Sequence, residues 1–227
     1  MTKKYELVLD DTISFWGWKL FRIRALISFG SVEVGDLGGY IEKEENLSHD
    51  GNAWVSGNAK VSGNAKVSGN AWVSGNAKVS GNAKVSGDAE VSGNAKVSGD
   101  AEVWGNAEVW GNAKVSGDAE VWGDAKVSGN AEVWGNAEVW GDAKVSGDAK
   151  VSGNAKVSEL GDIIVFKNHW SSGRHFTYTK SNKMWKVGCF YGTGQELIEK
   201  AYRDSEKSGN YYKACVDFVE NLEKLGD

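Results

Sequence analysis

Proline is absent from the 227 residues, and cysteine, methionine and histidine number only two, two and three. The lack of proline suits a chain dominated by β-sheet, where each proline would remove a ladder donor. Cys189 and Cys215 stand in no paired-spacing motif, which argues for free thiols in a reducing compartment rather than a disulfide framework. No apolar run is long enough to span a bilayer and no secretory signal is present, so a cytoplasmic protein with no membrane partner is expected. The formal net charge is −5, from 26 basic and 31 acidic side chains. That balance leaves no basic footprint for nucleic acid. The acidic excess is also too small, and too mixed with lysine, for a nucleic-acid mimic.

What the chain has in abundance is one hexapeptide. Gly51 to Ser158 is Gly-Asn/Asp-Ala-X-Val-Ser/Trp written eighteen times without insertion or deletion; X is Lys, Glu or, at Trp54 and Trp72, Trp. A six-residue period points to a parallel β-helix. Residues two apart in an extended segment share a face, so Ala59 and Val61 turn inward and the X between them turns outward. Gly and Asn/Asp make the corner because both tolerate positive φ. Three corners close a triangle, so eighteen hexads give six coils. With ~4.8 Å between stacked strands, the column is roughly 29 Å long. A coil cannot bury its own apolar faces, so stability comes from stacking on its neighbours. Corner asparagines at equivalent positions can form hydrogen-bonded ladders. Six corners carry aspartate instead, and Asp124 stacked on Asp142 is expected as a solvated, mildly repelling pair. The glycine-rich pattern of calcium-binding repeats is absent, and no metal or cofactor is expected.

Sorting X at an 18-residue step gives three faces. The first reads Trp54, Trp72, Glu90, Glu108, Lys126, Lys144; the second Lys60, Lys78, Lys96, Lys114, Glu132, Lys150; the third Lys66, Lys84, Glu102, Glu120, Glu138, Lys156. Like charges therefore stack in blocks, which is unfavourable but weakened by exposure and salt. The sixth position is Ser except at Trp104, Trp110, Trp122, Trp134 and Trp140, and each of those hexads has Glu at X. Trp104, Trp122 and Trp140 should form a row on the third face beside Glu102, Glu120 and Glu138. Such a row is either an indole ladder shielding a flat sheet or an aromatic and acidic strip that meets a partner. Trp54 and Trp72 are candidates for the same surface.

Residues 1–50 read as a β cap with a first irregular coil. Tyr5 to Leu9 and Trp18 to Phe29 have strand composition. Ile41 and Leu47 lie six apart, before His49 and Asp50 intrude. After Ser158 the pattern decays: Ile163 is six beyond Val157 and Gly161 takes the Ala position, so the coil should run to about residue 164. Strands are expected at Val165 to Phe166, Phe176 to Thr179 and Met184 to Tyr191. Thr193-Gly194-Gln195-Glu196 has capping-box spacing, predicting a helix to about Lys207 with Leu197, Ile198 and Ala201 buried. Ser208-Gly209-Asn210 should break it before a second helix to about Leu225.

The valines six apart from Val55 onward, each with a small residue two before it as at Ala53, Ala59 and Ala65, resemble the hexapeptide-repeat family of left-handed β-helices. The left-handed sense comes from that resemblance. More narrowly, Phe21 to Leu26, Gly35 to Glu42 and Trp185 to Thr193 look like uncharacterised bacterial and phage-encoded hexapeptide-repeat proteins. The resemblance implies a homo-oligomer, by preference a trimer packed through prism faces, and a host-cell cytoplasmic setting if phage-encoded. The expected fold is mainly β: a left-handed parallel β-helix at 51–164, an N-terminal cap at 1–50, and an α+β domain at 165–227.

Many hexapeptide-repeat proteins are acyl-CoA-dependent transferases that use a histidine base, and general base work needs a group titrating near neutral pH. The repeat contains no histidine and no loop insertion; the candidates His49, His169 and His175 all lie outside it. The glycine cluster around Thr193 and Gly194, before a helix N-terminus, is a candidate anion site, with Arg174 and His175 to supply charge; a tight turn is the plainer reading. Cys189 as a nucleophile would need His175 as partner, and a buried strand thiol is the plainer reading there. The functional expectation is a non-enzymatic protein in which a rigid column spaces copies and the tail recognises a host factor or small ligand. Acyl transfer at a subunit junction is the alternative.

Overall fold

A computed structural model describes residues 3–15 and 17–225. Each hexad contributes one two-residue strand, from β4 (Trp54–Val55) to β21 (Lys156–Val157). Every Ala and Val of the repeat is buried, and together they form one continuous core along the column. Strands pair in parallel at the 18-residue step, as in Val55 with Val73 and Val97 with Val115. The result is a three-sided parallel β-solenoid of six regular turns, and the three faces carry the side chains sorted above. Glycine is required at the corner. Gly99 has φ 75°, and a Cβ there would sit 2.9 Å from the backbone N and O of Gly117 in the next coil.

Corner asparagines stack as expected. Asn76, Asn94, Asn112 and Asn130 each donate a side-chain N–H to the next corner, and Asp148 ends the run as acceptor. A carboxylate only accepts, and Asp88, Asp100 and Asp124 end shorter runs in the same way. Asp124 and Asp142 are both solvent-exposed. Where charge blocks change sign along a face they pair across coils: Lys84 with Glu102 at 2.6 Å, Lys126 with Glu108 at 2.7 Å, Lys114 with Glu132 at 2.9 Å.

The N-terminal end is closed by β1 (Tyr5–Phe15), β2 (Trp18–Ala25) and β3 (Leu37–Ile41), which extend one face of the solenoid. β1 runs further than expected and β2 stops sooner. Ile41 pairs with Val61 and Leu47 with Val67, so an irregular first turn forms, two residues longer than the rest. Inside the column, the Gly and Ala carbonyls accept N–H groups from the preceding coil, as Gly75 from Asn58 and Ala77 from Lys60. The first coil has no such neighbour, and other donors stand in. The Tyr40 N–H takes Ala59 O at 2.9 Å. The Asn46 side-chain amide takes Gly63 O at 3.1 Å and Ala65 O at 2.8 Å. The Lys4 ammonium takes Gly51 O at 3.3 Å and Ala53 O at 2.8 Å.

At the other end the regular coil stops at Ser158, short of the expected residue 164. The Asp162 carboxylate accepts the N–H groups of Ser158 (2.7 Å) and Glu159 (3.0 Å), winding Leu160–Asp162 into a 3-10 turn. Gly161 therefore does not take an Ala position, although Ile163 still packs against the end of the core. The chain continues as an antiparallel sheet of β22 (Ile163–Lys167), β23 (His175–Thr179), β24 (Met184–Val187) and β25 (Phe190–Gly192), followed by α1 (Gly194–Asp204) and α2 (Glu206–Leu225). The single strand expected over Met184 to Tyr191 is a hairpin that turns at Gly188, with φ 57°. The helix break falls at Ser205, not at Ser208 to Asn210. Gly209 lies inside α2 because it packs on the Tyr202 ring, which a Cβ there would overlap. Phe176, Tyr178, Trp185, Leu197, Ala201, Tyr212, Val216 and Val219 form a second, separate core.

Lys4 is 1% exposed, and burial lowers its pKa from 10.5 to about 8 against the opposing pull of Asp50. Between those values the unfolded chain holds a proton that the folded chain has released, so this group adds stability as pH rises through the window. The stability of wild type relative to Lys4→Met should therefore increase between about pH 8 and 10.5. Denaturant titrations across that range measure it, and a flat difference would show that the ammonium is not desolvated. Leaving the two carbonyls unpaired should itself cost about 1–3 kcal/mol.

Candidate functional site: an indole ladder and a seam cleft

Sixth-position side chains point outward like X, so tryptophans at an 18-residue step meet their own kind in the next coil. Trp104 and Trp122 stack with centroids 5.0 Å apart and planes 1° from parallel; Trp122 and Trp140 do so at 5.2 Å and 10°. The inner ring faces cover one another, so the row presents ring edges outward and all three residues remain half-buried. Glu102, Glu120 and Glu138 run alongside in register. Lys84 pairs with Glu102 at one end and Lys156 with Glu138, at 3.4 Å, at the other. Glu120, between two carboxylates, has no ion-pair partner among the described residues.

One other tryptophan is placed differently from expectation. Trp54 is 2% exposed and cannot belong to an open surface: it lies beneath the cap, edge-on to Tyr5 and Phe29. Its X position does turn outward, but the cap covers it. Trp72 is half-buried against the core. The second face is not a free lysine strip either, because the Phe15 ring lies over Lys60 and Lys78, and Lys114 pairs with Glu132.

The three histidines do not converge. His49 stacks on Tyr5 with centroids 4.4 Å apart, and its Nδ1 accepts the Lys4 backbone N–H at 3.2 Å. His169 lies edge-on to Trp170 and Tyr211 in the tail. His175 Nδ1 is 2.8 Å from Asp148 Oδ2, tying β23 to the last coil. The proposed anion site also separates into two places. Arg174 and His175 line a cleft at the seam between solenoid and tail, whereas Thr193 and Gly194 line another, where the start of α1 meets α2 and the strands β23 and β24. The Thr193 N–H is already taken by Glu196 Oε2 at 2.8 Å, in a capping box that holds the Glu196 carboxyl below its usual pKa. Cys189 is exposed in the β24–β25 turn, not buried in a strand.

The seam is built from groups the repeat alone does not announce. Thr177 Oγ1 accepts the Lys150 N–H at 2.9 Å and Ser181 Oγ the Lys156 N–H at 2.8 Å. Tyr191 donates its hydroxyl to Ser152 O at 3.2 Å, and Lys186 Nζ lies 5.4 Å over the Trp134 ring. Among the described residues no helix is long and apolar enough to cross a membrane.

These features define a parallel β-solenoid closed at one end by a β cap and at the other by a small α+β unit. Among known families, the YdcK beta solenoid repeat is similar to residues 59–75, about one coil of the column. No curated protein matches the chain.

Removing the central ring by Trp122→Ser breaks two stacked pairs and should cost about 1–3 kcal/mol. Trp104→Ser and Trp140→Ser, which break one pair each, should cost roughly half as much. Chemical denaturation of the three variants distinguishes this from equal losses, which would mean the rings act independently.

Proposed function

We propose that the protein is a non-enzymatic structural and interaction protein, whose rigid solenoid serves as association surface and spacer and whose tail is the recognition module. On the resemblance noted above, the coil is of the left-handed hexapeptide-repeat kind, the assembly a trimer, and the setting a bacterial or phage-infected cytoplasm. The observation that carries the association reading is the parallel-stacked row Trp104, Trp122 and Trp140 with its edges outward on a flat face. Large amphipathic rings on a rigid surface are the residues that most often anchor interfaces. The parallel glutamate row, with Glu120 unpaired, offers a cationic partner group one point of charge selection. Holding several tails at a fixed spacing converts weak contacts into tight ones through effective concentration.

Sedimentation velocity tests this. Wild type should run as an oligomer at micromolar concentration. The triple variant Trp104→Ser, Trp122→Ser, Trp140→Ser should run as a monomer with an unchanged β-sheet circular dichroism spectrum. A monomeric wild type, or a triple variant that still associates, would overturn the reading.

A further inference from the structure

Where the tail docks on the last coil, a cleft of ≈ 580 Å³ is lined by groups from separate parts of the chain. The coil supplies Asp148 and Lys150, the loop before β23 supplies Gly173 and Arg174, β23 supplies His175, and the β24–β25 turn supplies Gly188 and Cys189. Their arrangement is specific. Asp148 uses both oxygens: Oδ1 accepts from Asn130 at 3.0 Å, the last rung of the asparagine ladder, and Oδ2 meets His175 Nδ1 at 2.8 Å. A carboxylate held in this way fixes the imidazole tautomer, with the proton on Nδ1 and the lone pair on Nε2. The register of β23 on β24, with Thr177 opposite Lys186, carries His175 to the level of Gly188, next to Cys189. Arg174 has no carboxylate partner among the described residues, and Lys150 shares Glu132 at 3.4 Å. An exposed thiol lining one cleft with an imidazole and two cations stands in the kind of environment in which cysteines react.

We propose that this seam cleft is a thiol-exchange site, at which Cys189 takes up a small anionic disulfide as a mixed disulfide. His175 Nε2 accepts the Cys189 proton, and Sγ attacks one sulfur of the disulfide. The new S–S bond forms as the old one breaks, and the leaving thiolate takes the proton back from His175. The incoming disulfide is the oxidant, so electrons and protons balance. Arg174 and Lys150 receive the carboxylates of the ligand, and Asp148 is a positioning residue for His175. The site is independent of how the solenoid associates, because one copy supplies all of these residues.

Cys215 provides an internal control, being half-buried on α2 with its thiol pKa pushed up by burial. The intact protein is incubated with oxidised glutathione, an anionic disulfide, or with cystamine, a cationic one, and the adducts are followed by mass spectrometry of peptides. Cys189 should be modified well ahead of Cys215. Oxidised glutathione should react about tenfold faster than cystamine, the margin expected of a cleft that concentrates one sign of charge. The double variant Lys150→Gln, Arg174→Gln leaves the Asp148–His175 tie in place and should abolish that preference. His175→Gln should slow both reagents and flatten the pH profile near neutrality, and Asp148→Asn should do so more weakly. Equal rates for the two disulfides at Cys189 in wild type, a preference that survives the double variant, or a His175→Gln variant with unchanged rate and pH profile would each overturn the proposal.

Discussion

The structure depends on one repeated event, the hydrogen-bonded stacking of each coil on the coil 18 residues away. No single coil has a reason to exist alone, since its valines and alanines are covered only by the coils above and below. Every other feature of the column serves that register. Glycine at the corner lets backbones approach to contact distance, asparagine ties adjacent corners, and four of the aspartates end a run of donors as acceptors. Strict periodicity also means that outward residues meet their own kind, which stacks tryptophan on tryptophan and forces like charges together within each block.

A stack of this kind has two unlike ends, and the chain treats them with opposite chemistry. The leading end presents carbonyls, and donors close it: the Lys4 ammonium, the Asn46 amide and the Tyr40 N–H. The trailing end presents N–H groups, and acceptors close it: the hydroxyls of Thr177 and Ser181 and the Asp162 carboxylate. An unclosed end would be an invitation to pair with another chain. Burying an ammonium is costly, as the lowered Lys4 pKa records, but two carbonyls left without donors in the same place would be costly as well.

The column, its three faces and the indole row were legible because six-residue periodicity fixes side-chain direction and neighbour identity together. The capping box at Thr193 was legible for a similar reason, since its partners lie three residues apart. What escaped depends on contacts distant in sequence. Nothing local marks Lys4 as a buried donor to residues 47 and 49 positions on. Trp54 sits at an outward position, and only the fold of the cap determines that it is covered. Gly209 read as a helix breaker, because glycine signals flexibility in sequence whether it serves a turn or a close contact with a ring. Cys189 read as a strand residue because the turn at Gly188 divides an apolar run that looks continuous.

The same distinction bears on where function can reside. A perfect repeat is poor ground for a catalytic site, since any group it places recurs coil after coil, and a site needs a constellation that occurs once. The column breaks its own symmetry in two places. One is the block of tryptophan with glutamate, which makes a surface; the other is the trailing end, which makes a cleft. At the trailing end Asp148 is both the last rung of a structural ladder and the anchor of His175, so the regularity of five coils orients a group that belongs to the tail. Besides spacing the tail, the solenoid therefore shares a cleft with it, and the residues lining that cleft come from both parts.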